Sequence, residues 1–275
     1  MALSVATNIG ALAASKAASS VNSTMETSMA RLSSGKRINS AADDSAGLAI
    51  ASRLTSEARG LDMASRNAAD AQAMINTIES SHSEIHNILQ RMRELAVQGA
   101  NDTNGTDDRT NIRKELTELH EEIDAIKNQT KWAGQTLISG ASTFKFQIGD
   151  EADETLTVTT TAIASSSLSV GSTTVASLTS NASFTAFITT VNNAISSIAN
   201  YRAEYGANSN RLDHVMANLA TNSESVKASL GRIEDTDYAA ETTDLAKSQI
   251  LQQAATSMLA QANASKQTIL SLING

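Results

Sequence analysis

Apolar residues recur at alternating three- and four-residue steps along Leu61, Ala64, Ala68, Ala71, Ile75, Ile78, His82, Ile85, Leu89, Met92, Ala96 and Gly99, with one histidine in the series. That spacing places every member on one face of an α-helix. The stretch predicts a rod of roughly 58 Å at ~1.5 Å per residue. A second series, Ile112, Leu116, Leu119, Ile123 and Ile126, predicts a shorter helix. A third starts near Phe187 and passes through Val191, Ala194, Ile198, Tyr201, Tyr205, Leu212, Val215 and Leu219 to Ile233. It predicts about 70 Å of helix if unbroken. Helices this long need a partner along their length, as in coiled coils. They also exclude proline, which removes a backbone donor and clashes with the preceding turn. The chain has no proline, where ordinary usage over this length gives roughly 14.

The two ends are periodic but almost uncharged. Lys16 is the only charged residue among the first 25, and Lys266 the only one after Lys247. The N-terminal stripe reads Ala13, Ala17, Val21, Met25, Met29 and Leu32, and the C-terminal one Leu251, Ala255, Met258, Ala262, Ser265, Ile269 and Leu272. An apolar stripe backed by an uncharged face is poorly solvated alone, so the ends are expected to pair and to bury against other copies. Between the rods, Phe144 to Ile148 alternates, Gly149 to Glu154 is acidic, and Thr155 to Thr161 is β-branched. This predicts a hairpin with an exposed acidic turn. Residues 164–183 read as loop or short strand, and 101–108 as a polar turn. The fold class is therefore mainly α: a long coiled-coil-like helical rod with a small β-hairpin region and terminal helices paired as a coiled coil.

Several function classes are excluded. Without cysteine there are no disulfides, thiolate metal sites or cysteine nucleophiles. A net charge of −8 opposes binding dominated by nucleic-acid phosphates. No apolar run approaches the ~20 residues of a membrane span. The N-terminus has neither the cationic start nor the apolar core of a secretory signal, which taken alone suggests the cytoplasm. His82 and His86 are four apart on one helix, but His-Ser-Glu-Ile-His is not the zinc-protease pattern and no third ligand is implied. Phosphate loops, dinucleotide fingerprints and nucleophile elbows are missing. Neither an enzyme nor a cofactor is expected. Arg31, Lys36 and Arg37 lie near Asp43 and Asp44, which predicts salt bridges at a bend.

Residues 30–51, ARLSSGKRINSAADDSAGLAIA, resemble the N-terminal signature of bacterial flagellins. RIEDTDY at 232–238 and QILQQAATSMLAQAN at 249–263 resemble the C-terminal signature. LQRMRELAVQGAN at 89–101 and GANSNRLDHVMANL at 206–219 are similar to two further family stretches. The resemblance implies a self-assembling subunit of the flagellar filament that serves swimming motility. It implies an inner coiled-coil domain of residues 1–44 with 234–275, and a rod domain of 45–233 with the hairpin at about 140–180. It implies no outer variable domains. The alternative is the hook–filament junction protein, although that family tends to carry prolines around the equivalent of Ala42–Ser45, where none stand here.

The resemblance also implies partners and sites. The partners are further copies of the chain, an export chaperone, the cap and the hook-junction proteins, with no nucleic acid and no membrane insertion. The location is extracellular, reached through the flagellar type III apparatus without a cleaved signal peptide. Arg91, Leu95 and Glu115 match positions read by vertebrate Toll-like receptor 5. Arg31, Leu32, Ser33, Gly35, Arg37, Ile38, Asn39, Ser40, Asp43, Asp44, Gly47 and Leu48 match the epitope of the plant flagellin receptor. Leu251, Ala255, Met258, Ala262, Ile269 and Leu272 are expected in inner-core assembly.

Overall fold

The structure, a computed structural model, describes residues 7–274 and omits the side chains of residues 267 and 269–274. The expected assembly residues Ile269 and Leu272 therefore lie outside the described side chains. In chain order the elements are α1 (Ile9–Ser34), α2 (Ser45–Gly99), α3 (Thr106–Gln129), β1 (Lys131–Trp132), β2 (Gln135–Thr136), β3 (Ser142–Gln147), β4 (Thr155–Thr160), α4 (Ser172–Ala176), α5 (Asn181–Glu234) and α6 (Tyr238–Asn274). Contacts divide the chain into two compact units, residues 1–57 with 225–275 and residues 58–224.

In the unit of residues 58–224, α2 and α5 run antiparallel in an unbroken register. Asp62 meets Ser223 at 2.8 Å, Gln72 meets Asp213 at 2.6 Å and Arg93 meets Asn192 at 2.8 Å. Each step up α2 is thus answered by an equal step down α5. Every member of the periodic series from Leu61 to Gly99 is buried. Ile75, Ile78, Ile85, Leu89 and Met92 are at most 1% exposed, and they pack with Val191, Ile198 and Leu212. Burying such a side chain is worth about 1.5–3 kcal/mol. Leu116 and Ile123 of α3 join the same core. The third helix begins at Asn181, six residues before its first predicted seam residue, because Phe184 is also fully buried.

β3 and β4 form the predicted antiparallel hairpin, in register from Ser142 opposite Thr160 to Gln147 opposite Thr155. β4 alternates strictly, with Leu156, Val158 and Thr160 buried and the threonines between them exposed. Residues 150–154 are exposed, as the acidic turn predicts. A smaller hairpin, β1–β2, turns through Ala133 (φ 48°) and Gly134 (φ 83°), a pair of positive φ values that suits the right-handed twist of its strands. Residues 164–183 contain no strand. They hold the short helix α4 and bury Leu168, Val170, Val175 and Leu178. Ser165 fastens this segment to α3, donating to Asp124 from its amide at 3.1 Å and from its hydroxyl at 2.8 Å.

In the terminal unit, α1 and α6 pair antiparallel. Asn22 meets Gln252 at 2.7 Å, Arg31 meets Glu241 at 3.6 Å, and Asn8 donates to the Ala262 carbonyl at 3.0 Å. On α1 the residues turned from solvent include Ala11, Ala14, Ala18, Val21, Met25, Ser28 and Leu32. On α6 they include Leu245, Ser248, Gln252, Ala255, Leu259 and Ala262. Both series step by three and four alternately, the heptad spacing of a coiled coil. This corrects the stripe read from sequence. Ala13, Ala17 and Met29 are exposed, because repeated four-residue steps drift around the helix whereas a 3.5-residue average stays on the seam.

Candidate assembly and recognition surfaces

The bend between α1 and α2 is stitched to the bend between α5 and α6. α1 ends at Gly35, whose φ of 72° is the left-handed cap conformation and whose N–H donates to the Arg31 carbonyl at 2.8 Å. Lys36 then bridges Asp235 in antiparallel fashion. The Arg37 N–H donates to the Glu234 carbonyl at 2.6 Å, and the Thr236 N–H to the Gly35 carbonyl at 3.0 Å. The Arg37 guanidinium donates to the Ile233 carbonyl at 2.7 Å, and the Tyr238 hydroxyl to the Leu32 carbonyl at 3.2 Å. GKR and RIEDTDY, two signatures some two hundred residues apart, are thus one structural feature.

The salt bridges predicted at this bend have different partners. Lys36 pairs with Glu234 at 2.6 Å and Arg31 with Glu241 at 3.6 Å. Asp43 and Asp44 instead satisfy nearby backbone donors, which their short side chains reach without ordering a long basic chain. The Asp43 carboxylate accepts from the Ser40 N–H at 2.9 Å, the Ser40 hydroxyl at 3.0 Å and the Asn39 N–H at 3.1 Å. Those bonds, the Ser40 amide first, hold its pKa below the usual carboxylate range. Asp44 caps α2, accepting from the Gly47 N–H at 2.8 Å. Ile38 is buried, and a Cβ at Gly47 would lie 2.7 Å from its Cδ1. Within the expected plant epitope, Ser33, Arg37, Asn39, Ser40, Asp43 and Asp44 are exposed, whereas Leu32, Gly35 and Leu48 are half-buried.

On the α1/α6 pair, Ala255 and Ala262 lie in the seam while Leu251 and Met258 are 45% and 67% exposed. Ile9 and Leu12 are exposed to a similar extent. Gly10, Ala13, Ala14 and Ala17 on α1 and Met258 on α6 line a shallow apolar groove. These are apolar surfaces that pairing of the two helices leaves uncovered.

On the other unit, Arg91 reaches across from α2 to Glu115 on α3, with contacts of 3.0 and 2.8 Å. It also meets Glu94 at 3.0 Å, a partner that sequence reading missed although the i, i+3 spacing signals it. The two carboxylates, Glu115 first, strengthen the guanidinium's hold on its proton. Leu95, one turn further along α2, is 2% exposed and belongs to the hydrophobic core.

His82 lies in the α2/α5 seam, fully buried between Tyr205 and Tyr201 at ring-centroid distances of 5.2 and 6.3 Å. Neither ring nitrogen has a hydrogen-bond partner. Burial, aided by the charge of Arg202, lowers its pKa to about 4. Arg202 is itself paired with Glu79 at 2.8 Å. Among the described residues no group of three histidine or acidic side chains is placed to hold a metal ion, and no helix is long and apolar enough to cross a membrane.

Continuous helical seams, two stitched bends and uncovered apolar surface on the terminal pair define a structural subunit built to associate. Comparison with known proteins gives the family. The profile of the bacterial flagellin N-terminal helical region matches residues 5–143, and that of the C-terminal helical region matches 188–273. The chain is 39% identical to a flagellin of Halalkalibacterium halodurans, over 89% of this chain and 90% of that one. It is 37% identical to a flagellin of Bacillus subtilis, over 97% and 98% of the two chains. A solved flagellar hook-associated protein of Vibrio parahaemolyticus superposes with a TM-score of 0.61 over 70% of this chain and all of that one. At 17% identity that likeness shows the fold alone. The chain belongs to the bacterial flagellin family. It is a structural subunit that self-assembles into the flagellar filament, outside the cell.

Proposed function

We propose that the α1/α6 pair carries the contacts that drive assembly, with residues 1–44 and 234–275 as the inner coiled-coil domain, 45–233 as the rod domain, and no outer variable domains. The observation that carries this is the exposure of Leu251 and Met258 beside a seam already filled by Ala255 and Ala262. Side chains of that size left in water favour burial against another copy by about 25 cal/mol per Å2 of apolar surface. Ile269 and Leu272 extend the same role along α6.

Before assembly the chain is exported unfolded through the flagellar type III apparatus. It is held by an export chaperone and received by the cap and hook-junction proteins. The nearly uncharged ends support this route, and membership of the flagellin family reverses the cytoplasmic expectation. In hosts, the exposed Arg91–Glu115 pair is read by Toll-like receptor 5, with Leu95 buried in the core one turn further along α2. The bend from Arg31 to Leu48 is read by the plant flagellin receptor.

Assembly is tested by electron microscopy. A chain ending at residue 247 should form no filaments, and a Leu251→Ser/Met258→Ser double variant should need a higher protein concentration to polymerise. Filaments from the truncated chain at wild-type concentration would overturn the assignment.

A further inference from the structure

Asn104 and Gly105 sit in the turn between α2 and α3. An Asn-Gly pair is chemically exposed, since glycine has no Cβ to hinder its own nitrogen as it approaches the asparagine Cγ. Here the pair is held by specific contacts. The Asn104 side-chain amide donates to the Gln98 carbonyl near the end of α2, and the Asn104 N–H donates to the Asn101 carbonyl at 3.2 Å. The Gly105 N–H donates to the Asp108 carboxylate at 3.0 Å. Gly105 is the N-cap of α3 in extended backbone and has no side chain to return that bond, so Asp108 alone supplies this half of a capping box.

We propose that Asn104 is a deamidation site held closed by Asp108. In the reaction the Gly105 nitrogen loses its proton and forms a bond to the Asn104 Cγ. The Cγ–Nδ2 bond breaks and ammonia leaves with the proton, giving a cyclic succinimide. Water then opens the ring at either carbonyl to give aspartate or isoaspartate. The closed turn opposes the first step twice. A nitrogen anion would form 3.0 Å from a carboxylate oxygen, where like charges repel strongly. The asparagine amide is meanwhile committed to Gln98. Opening the first turn of α3 removes the first obstacle and release of Asn104 from the end of α2 removes the second, so conversion records how often the whole turn opens. The product cannot donate to the Gln98 carbonyl, and it adds negative charge to a segment that already carries Asp102, Asp107 and Asp108.

The test incubates the full chain at mildly alkaline pH and follows position 104 by peptide mass spectrometry with isoaspartate detection. Folded wild type should convert slowest and urea-unfolded wild type fastest. Asp108→Ala should convert about tenfold faster than folded wild type, the order expected for losing a charge-assisted hydrogen bond. Asp108→Asn, which keeps an acceptor without the charge, should fall between. Circular dichroism monitors helix content in every sample. Equal rates in folded and unfolded wild type would overturn the proposal. So would Asp108 variants that convert no faster than wild type, or only in step with a global loss of helix.

Discussion

Acidification between pH 7 and pH 4 should weaken the unit of residues 58–224 through one side chain. His82 is fully buried, has no hydrogen-bond partner on either nitrogen, and is faced by Tyr201, Tyr205 and Arg202 from α5 and by Glu79 and His86 from its own helix. Its pKa falls from 6.5 to about 4, through burial first and the Arg202 charge second. The sign follows directly. Above pH 6.5 the ring is neutral in both the folded and the unfolded chain and has no effect. Below it the unfolded chain takes up a proton that the folded chain refuses, so stability falls until about pH 4 and then stays level. A displacement of this size corresponds to about 3 kcal/mol, a large part of the stability of a typical domain. Asp124 contributes in a different window. Burial opposes its ionisation, but the Ser165 hydroxyl and amide and Lys127 outweigh it and depress its pKa, so its loss comes at lower pH still. Urea unfolding of wild type and His82→Phe at closely spaced pH values separates the effects. The difference between the two proteins should change by about 3 kcal/mol between pH 7 and pH 4, with wild type losing ground. A constant difference, or a native His82 resonance that titrates near pH 6.5 by NMR, would refute the reasoning.

Three further outcomes are expected. Asp44→Ala removes the side-chain acceptor of the Gly47 N–H and should cost about 1 kcal/mol, read as a lower unfolding midpoint. Gly99→Ala should destabilise by about 1–3 kcal/mol despite alanine's better helix propensity, because the added Cβ would lie 2.5 Å from the Phe184 ring; a neutral result in thermal unfolding would show that the ring can move aside. Arg91→Ala should leave helicity and melting nearly unchanged, since its ion pairs are exposed, while lowering the response of Toll-like receptor 5 reporter cells to monomer; an unchanged response removes that residue from the recognition surface.

The large helices of the rod were legible because Ile, Leu and Met alternate there with charged residues, which leaves a single apolar face. The hairpin was legible for the same reason at period two, with Phe144, Phe146, Leu156 and Val158 against Lys145 and the threonines. The stretch 164–183 was not, because serine and threonine suit turns, strands and short helices alike, and burial of Leu168, Val170 and Val175 decided the outcome. The receptor-matching residues came from resemblance, and only the structure distinguishes the exposed Arg91 from the buried Leu95.

The sequence by itself determined that this chain is a set of long proline-free helices with the β3–β4 hairpin between them, and its end signatures placed it among the flagellins; the smaller β1–β2 hairpin came only from the structure. Tertiary structure decided which face of the terminal helices becomes the seam. Alanine and serine occupy half the positions of α1, on every side of the helix, so three- and four-residue steps can be drawn along several of its faces. Contact with α6 selects Ala11, Ala14 and Ala18 and leaves Ala13 and Ala17 outside. It also decided the partners of the charges at the bend, where Lys36 meets Glu234 rather than the nearby aspartates. A charge pairs with whatever the fold brings within reach, and separation along the chain carries no record of that distance.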